Sequence, residues 1–217
     1  MGFRTMKVFL RTLLATACLT GAVRADVKLP AIISDHMVLQ ADMPAPVWGW
    51  ADPQEKVTVT IAGQTQTVIA DATGKWKVAL DKLKTTAEPQ TLIVAGKNKL
   101  TVNDVLVGEV WLGSGQSNMA MIVRSCLELE KEVQAANHPT LRMFTVARNS
   151  QLKPADDCTG EWVVCTPDRV DEFSAALYFF GRDLQAELKV PMGLINSSWG
   201  GTKIEAWTSI PAQEKLA

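Results

Sequence analysis

From Asp26 to about Asn103, apolar and polar residues alternate in short runs, the two-residue period of strands with one buried face. Val57-Thr58-Val59-Thr60-Ile61 alternates, and Ala62-Gly63-Gln64 turns the chain into Thr65 to Ile69. Asp71-Ala72-Thr73-Gly74 makes a second turn into Lys75 to Leu80, and Ala95-Gly96-Lys97-Asn98 separates Thr91–Val94 from Lys99–Val102. Short strands with turn signals at roughly 8–12-residue spacing predict a small antiparallel β-sandwich. Trp48, Trp50 and Trp76 are its large core candidates. An exposed tryptophan here would instead offer a sugar-stacking surface.

At Asp104 the pattern changes. Val105 to Leu112 is nearly continuously apolar, as expected of a strand covered on both faces. It runs into Gly113-Ser114-Gly115-Gln116-Ser117-Asn118-Met119. Leu127 to Ala136 reads as a helix and Leu141 to Ala147 as a strand. Phe173, Ala176, Leu177, Phe180, Leu184 and Leu188 recur at helical spacing, closed by Pro191. Met192 to Asn196 is a short strand emptying into Ser197-Ser198-Trp199-Gly200-Gly201-Thr202. Strand, helix, strand in this order predicts an α/β layer with parallel strands. Two or three such strands make an incomplete sheet, so a fragment of a longer domain is expected, with an open apolar edge.

The first 25 residues stand apart from both patterns. Arg4, Lys7 and Arg11 precede an apolar stretch from Thr12 to Val23, and Val23-Arg24-Ala25 supplies small residues for cleavage. The segment reads as a signal peptide. At about 12 residues the run is shorter than the roughly 20 that span a bilayer, which argues against an anchor helix, and no other segment could span a membrane. Cys18, behind Leu14-Ala15-Thr16-Ala17, is a poor lipid-attachment pattern. The expected organisation is a leader over 1–25, a β-sandwich over 26–103 and an α/β part over 104–217. Export to the periplasm or outside the cell follows from the leader.

Composition narrows the function only by exclusion. The 217 residues are 47% hydrophobic and 21% charged with formal net charge −1, which is ordinary for a globular chain and carries no footprint for nucleic acid. Beyond the leader remain Cys126, Cys158 and Cys165. Cys158 and Cys165 could close a small loop, or the cysteines could be buried as small apolar residues. No spacing suggests a metal site.

In open α/β sheets ligands bind beyond the carboxyl ends of strands, where both Gly/Ser-rich turns fall. Gly113 and Gly115 permit a sharp turn, and Ser117 then lies where a helix begins, with backbone N–H groups able to face a developing oxyanion. Two familiar motifs are absent. Met119 replaces the second glycine of the GxSxG elbow, and no Gly-Lys-Ser/Thr follows to make a phosphate loop. On these grounds Ser117 is either a nucleophile or part of a glycine-rich loop capping a helix. The paired glycines after Trp199 let main-chain N–H groups approach a ligand closely.

Val107 to Met119 closely resembles the nucleophile block of bacterial sialate O-acetylesterases, members of the SGNH hydrolases. Gly193 to Trp207 resembles the second block of that family, and Ser34–Gln40 and Pro46–Ala51 resemble its N-terminal β-domain. The resemblance implies an α+β multidomain chain, an antiparallel β-sandwich followed by a truncated SGNH-hydrolase domain with a flavodoxin-like parallel sheet. It implies Ser117 as nucleophile, with N–H groups of Ser117, Gly200 and Gly201 in the oxyanion hole. It implies an O-acetylated sialic acid or another acetylated glycan as substrate, and neither metal nor cofactor. The family's Gln-Gly-Glu block and its Asp-x-x-His segment, which carries the base, do not occur in the sequence. His36, beside Asp35, and His138, in Asn137-His138-Pro139, are poor substitutes for that base. The fragment is therefore expected to be inactive. An acetylxylan-type esterase and a non-catalytic carbohydrate-binding remnant are the competing readings.

Overall fold

The structure, a computed structural model, describes residues 26–215. The expected leader lies outside the described residues. The N-terminal part consists of β1 (Val38–Gln40), β2 (Ala45–Trp50), β3 (Lys56–Ile61), β4 (Gln64–Ile69), β5 (Lys75–Leu80) and β6 (Thr86–Ala95). β7 (Lys99–Gly115) leads into the remainder: α1 (Ser117–Ala120), α2 (Leu129–Ala135), β8 (His138–Thr145), β9 (Trp162–Cys165), α3 (Ala175–Leu188), β10 (Met192–Ser198) and α4 (Ile210–Gln213). The fold is mostly β, with a mixed 8-stranded sheet, a 2-stranded sheet of β2 and β5, and few helices.

The alternation read in the N-terminal part is realised residue by residue. Val57, Val59 and Ile61 of β3 are buried, while Thr58 and Thr60 face out and meet Thr67 and Thr65 of β4. Ala62 and Gly63, both at positive φ, form the two-residue turn of that hairpin. Val47 of β2 and Trp76, Val78 and Leu80 of β5 share one apolar cluster with Val57, Val59, Leu92 and Val94. The two sheets thus enclose a common core. Trp76 is buried within it, whereas Trp48 and Trp50 are only half-buried.

β7 is the backbone of the molecule. It begins antiparallel to β6, runs parallel to β1 at Leu106–Gly108, and finishes parallel to β10 from Glu109 to Gly115. The boundary expected between residues 103 and 104 falls inside this one strand. Asp104 takes a positive φ of 55° there. Its carboxylate accepts from Arg142 Nη2 at 2.9 Å and pairs with His36 Nδ1 at 2.6 Å, while Arg142 Nη1 donates to its carbonyl.

The described parallel strands lie in the order β7-β10-β8, with β9 antiparallel on the outside. A flavodoxin-like sheet would set the first strand of the chain between the next two. Here β8 lies beyond β10 instead of on the other edge of β7, and α3 packs across β7 and β10. A side chain at Gly181 would strike Leu194 of β10, and one at Gly113 of β7 would strike Leu177 of α3. Beyond Glu109 the outer edge of β7 has no strand partner among the described residues. Val105, Leu106 and Val107 are buried as their apolar run predicts, but Trp111 is 43% and Leu112 66% exposed. The expected covering on both faces stops where the strand pairing on that edge stops. Trp111 instead leans edge-to-face on Phe180, with ring centroids 5.1 Å apart.

Candidate active site

β7 and β10 end together. Their register sets Asn196 opposite Gly113, Ser197 opposite Ser114 and Ser198 opposite Gly115. Gly115, at φ 127°, turns the chain through Gln116 into Ser117, the first residue of α1. The turn after β10 folds back over the same point, where Trp199 N donates to the Gly115 carbonyl at 2.9 Å. Gly200 then lies against the serine. A methyl group placed on it would stand 3.5 Å from Ser117 Oγ, and Gly201 follows at φ 80°. The two Gly/Ser-rich turns therefore form one locus at the carboxyl ends of adjacent parallel strands.

The surroundings hold this locus in place. Ser174 Oγ, which caps α3, donates to the Met119 carbonyl at 2.7 Å, and Ala175 N donates to Met121 O. These contacts lock the short α1 against α3. Thr202 Oγ1 donates to Trp199 O at 2.8 Å and in turn accepts from Trp207 Nε1 at 2.7 Å, closing the glycine turn. Ser117 Oγ is exposed and donates to Gln116 Oε1 at 3.0 Å. As at any helix start, the first N–H groups of α1 have no partner within the helix.

A cleft of about 550 Å³ opens beyond β8 and β10, walled by the glycine turn on one side and by the segment after β8 on the other. Arg148, Asn149, Gln151, Ser198, Trp199 and Trp207 give it its character, and Arg148 is the one charged residue in its lining. No ion pair engages that guanidinium among the described residues. Arg148 and Asn149 belong to no motif in the sequence. Their position, directly after the strand predicted to end at Ala147, was the available signal.

Neither histidine reaches the serine. His36 is tied to Asp104, not to its neighbour Asp35. From Asp104 to Gly115 the strand runs about 36 Å at the usual rise per residue. His138 opens β8, whose Leu141 stands opposite Met192, so about 30 Å of sheet separates it from Ser198. Burial and the charge of Arg182 hold the imidazole of His138 below its ordinary pKa. Cys126, Cys158 and Cys165 are free thiols, so the suggested bridge between Cys158 and Cys165 is not formed. Cys158 packs against the N-terminal apolar cluster, whereas Cys165 is buried in a separate cluster with Leu141, Tyr178 and Leu194, where burial pushes its thiol up to about 12.

The fold is consistent with that of a carbohydrate esterase. Residues 107–216 match the family described as carbohydrate esterase, sialic acid-specific acetylesterase. The chain belongs to that family. The mouse sialate O-acetylesterase is 33% identical over 222 residues, covering 93% of this chain and 41% of that protein. The human one is 33% identical over 202 residues, covering 84% and 39%. The crystal structure of a carbohydrate acetylesterase from Xanthomonas citri is similar with TM-score 0.83 and 43% identity, covering 85% of this chain and 43% of that one. The chain thus spans about two-fifths of the length of these relatives.

Proposed function

We propose that this chain is the nucleophile-bearing part of an SGNH-type esterase that removes O-acetyl groups from sugars, with O-acetylated sialic acid as its substrate. In this reading the N-terminal strands are a β-sandwich and the parallel strands open the catalytic domain. The leader sends the protein to the periplasm or beyond. The observation that carries the proposal is the contact between Gly200 and Ser117, which brings a hydroxyl and a set of main-chain donors to one point.

Ser117 Oγ attacks the acetyl carbonyl, and the N–H groups of Ser117, Gly200 and Gly201 receive the charge that develops on its oxygen. A histidine of the Asp-x-x-His segment expected in the complete protein takes the serine proton and delivers it to the departing sugar oxygen. The ester C–O bond breaks, leaving an acetyl-serine. Water, deprotonated by the same histidine, then releases acetate and restores Ser117. Arg148 favours sialate over an acetylated xylan, because sialic acid carries a carboxylate and xylose does not. A guanidinium binds a carboxylate through paired N–H donors.

The test joins this chain to the matching remainder of the Xanthomonas citri relative and assays 9-O-acetyl-N-acetylneuraminic acid. Turnover abolished by Ser117→Ala is expected. Turnover indifferent to that substitution would remove Ser117 from the mechanism, and no turnover with a folded chimera would favour the non-catalytic reading.

A further inference from the structure

A second cleft with tryptophans in its lining lies on the outer face of the β2–β5 pair. We propose that this face is a second saccharide-binding cleft, distinct from the Ser117 site and linked to it by the segment between β8 and β9.

Alternation in β2 buries Ala45, Val47 and Gly49 and leaves Pro46, Trp48 and Trp50 on the other face, with half-buried Trp48 also packing against the edge of the core. The two indoles therefore sit side by side on one face. Across the pair Trp48 is opposite Lys77, and Trp50 is opposite Lys75. The inward Gly49 leaves room for the buried Trp76 ring beneath it, because a side chain there would lie 2.9 Å from that ring. The aromatic floor is thus supported from below. A cleft of about 520 Å³ stands over this floor, and Asp71 and Asp156 join the two lysines at its edge.

These groups are arranged for use. Asp71 Oδ1 is fixed by Thr73 N, Thr73 Oγ1 and Lys75 N, which leaves its second oxygen to accept from a ligand. Lys75 Nζ holds Asp156 Oδ1 at 2.8 Å, bringing the β8–β9 segment against the sheet as a wall. Flat indole faces take the C–H face of a pyranose, and carboxylates and ammonium groups take its hydroxyls. An aromatic lining with a few placed polar groups is the make-up of a small-molecule site. Two lysines and two aspartates cancel in charge, so the cleft suits a neutral sugar unit. An anionic unit has a different match, Arg148 in the other cleft.

The two clefts share a wall. Gln151 lines the cleft beside Ser117 and Asp156 lines this one. The intervening residues span at most about 18 Å when fully extended. One oligosaccharide chain can therefore occupy the second cleft with its neutral units while presenting an end toward Ser117.

The test is a titration of the 217-residue protein with xylotetraose, lactose and 3′-sialyllactose, following the indole ¹H–¹⁵N resonances. Shifts confined to Trp48 and Trp50 with at least one probe are expected. Trp50→Ala should weaken that binding about tenfold, Trp50→Phe should retain most of it, and Arg148→Met should leave it unchanged. Trp50 is the chosen site because it lies outside the apolar core cluster, and a retained thermal transition would verify folding of each variant. The proposal is overturned if no probe moves these indoles, if Trp50→Ala binds as tightly as the parent, or if a self-associated dimer covers both. None of these outcomes touches the esterase reading, which stands or falls on Ser117→Ala in the chimera.

Discussion

Removing the Asp104 carboxylate should unfold the centre of β7 at markedly milder conditions. Arg142 reaches it with a side chain only 4% exposed, and the Asp104 side chain is itself 31% exposed. Breaking a fully buried ion pair costs about 3–5 kcal/mol. Water can replace part of what a partly exposed carboxylate supplied, which reduces the loss to about 2 kcal/mol. Asp104 also sits at φ 55°, a conformation that aspartate and asparagine tolerate and that costs alanine about 1 kcal/mol more. Asp104→Ala should therefore lose about 3 kcal/mol, lowering Tm by roughly 6–12 °C for a chain of this size. Asp104→Asn keeps an acceptor and the backbone preference, and should lose about 1 kcal/mol.

The pH dependence separates charge from shape. Burial pushes the Asp104 carboxyl up, but hydrogen bonds from His36 and Arg142 outweigh it and hold the group below its ordinary value. A carboxylate with a depressed folded pKa stabilises fully above its unfolded value of about 3.9 and loses that contribution as pH falls through the folded pKa. Urea unfolding of the parent and both variants at pH 7, 5, 4 and 3.5 measures this. The gap between parent and Asp104→Asn should shrink as pH falls from 4 to 3.5. A gap that widens over that interval, or an Asp104→Ala variant within about 0.5 kcal/mol of the parent, would refute the buried-pair account.

Three further outcomes follow from the same geometry. The 217-residue chain should hydrolyse p-nitrophenyl acetate no faster than its Ser117→Ala variant, since a serine without a base loses orders of magnitude in rate; Ser117-dependent turnover would mean that a base lies within it. In the chimera, Gly200→Ala should preserve Tm, because its methyl meets Ser117 Oγ at an ordinary 3.5 Å, yet cut kcat/KM by about 10² by crowding the approach of the carbonyl; unchanged kinetics would move the reaction away from this turn. Arg148→Met in the chimera should lower kcat/KM at least tenfold on 9-O-acetyl-N-acetylneuraminic acid and leave p-nitrophenyl acetate untouched, and an equal loss on both would show a structural role.

Strand existence was legible because burial on one face writes itself into every second residue. Val57, Val59 and Ile61 could be placed inward, and Thr58 and Thr60 outward, before any coordinates. The meeting of Ser117 with Gly200 was legible for a topological reason. Both turns follow apolar strands in a strand–helix–strand pattern, and parallel strands deliver such turns to the same end. What could not be read was sheet order. Nothing local in β8 says that it pairs with β10 and not with the other edge of β7, since that order is set by pairing between segments distant in the chain. The ties from His36 and Arg142 to Asp104 were invisible too, because each joins segments far apart in the chain.

The change of pattern at Asp104 teaches the subtler point. A shift from alternating to continuous apolarity reads as the start of a new unit, yet the backbone continues through it as one strand. What alters is the number of covered faces, not the course of the chain. Leu92 and Val94 of β6 lie alongside the first part of β7, while Leu106 and Val107 are flanked by strands on both edges. Once β1 ends and only β10 remains alongside, Trp111 and Leu112 become exposed although the sequence is still apolar. Apolarity records what a residue is selected to meet, and pairing records what it meets in the described residues. The positioning of Ser117 follows from this continuity. Ser117 stands just past the end of a strand whose other end lies in the N-terminal core, so a perturbation at Asp104 acts on the element that positions the serine.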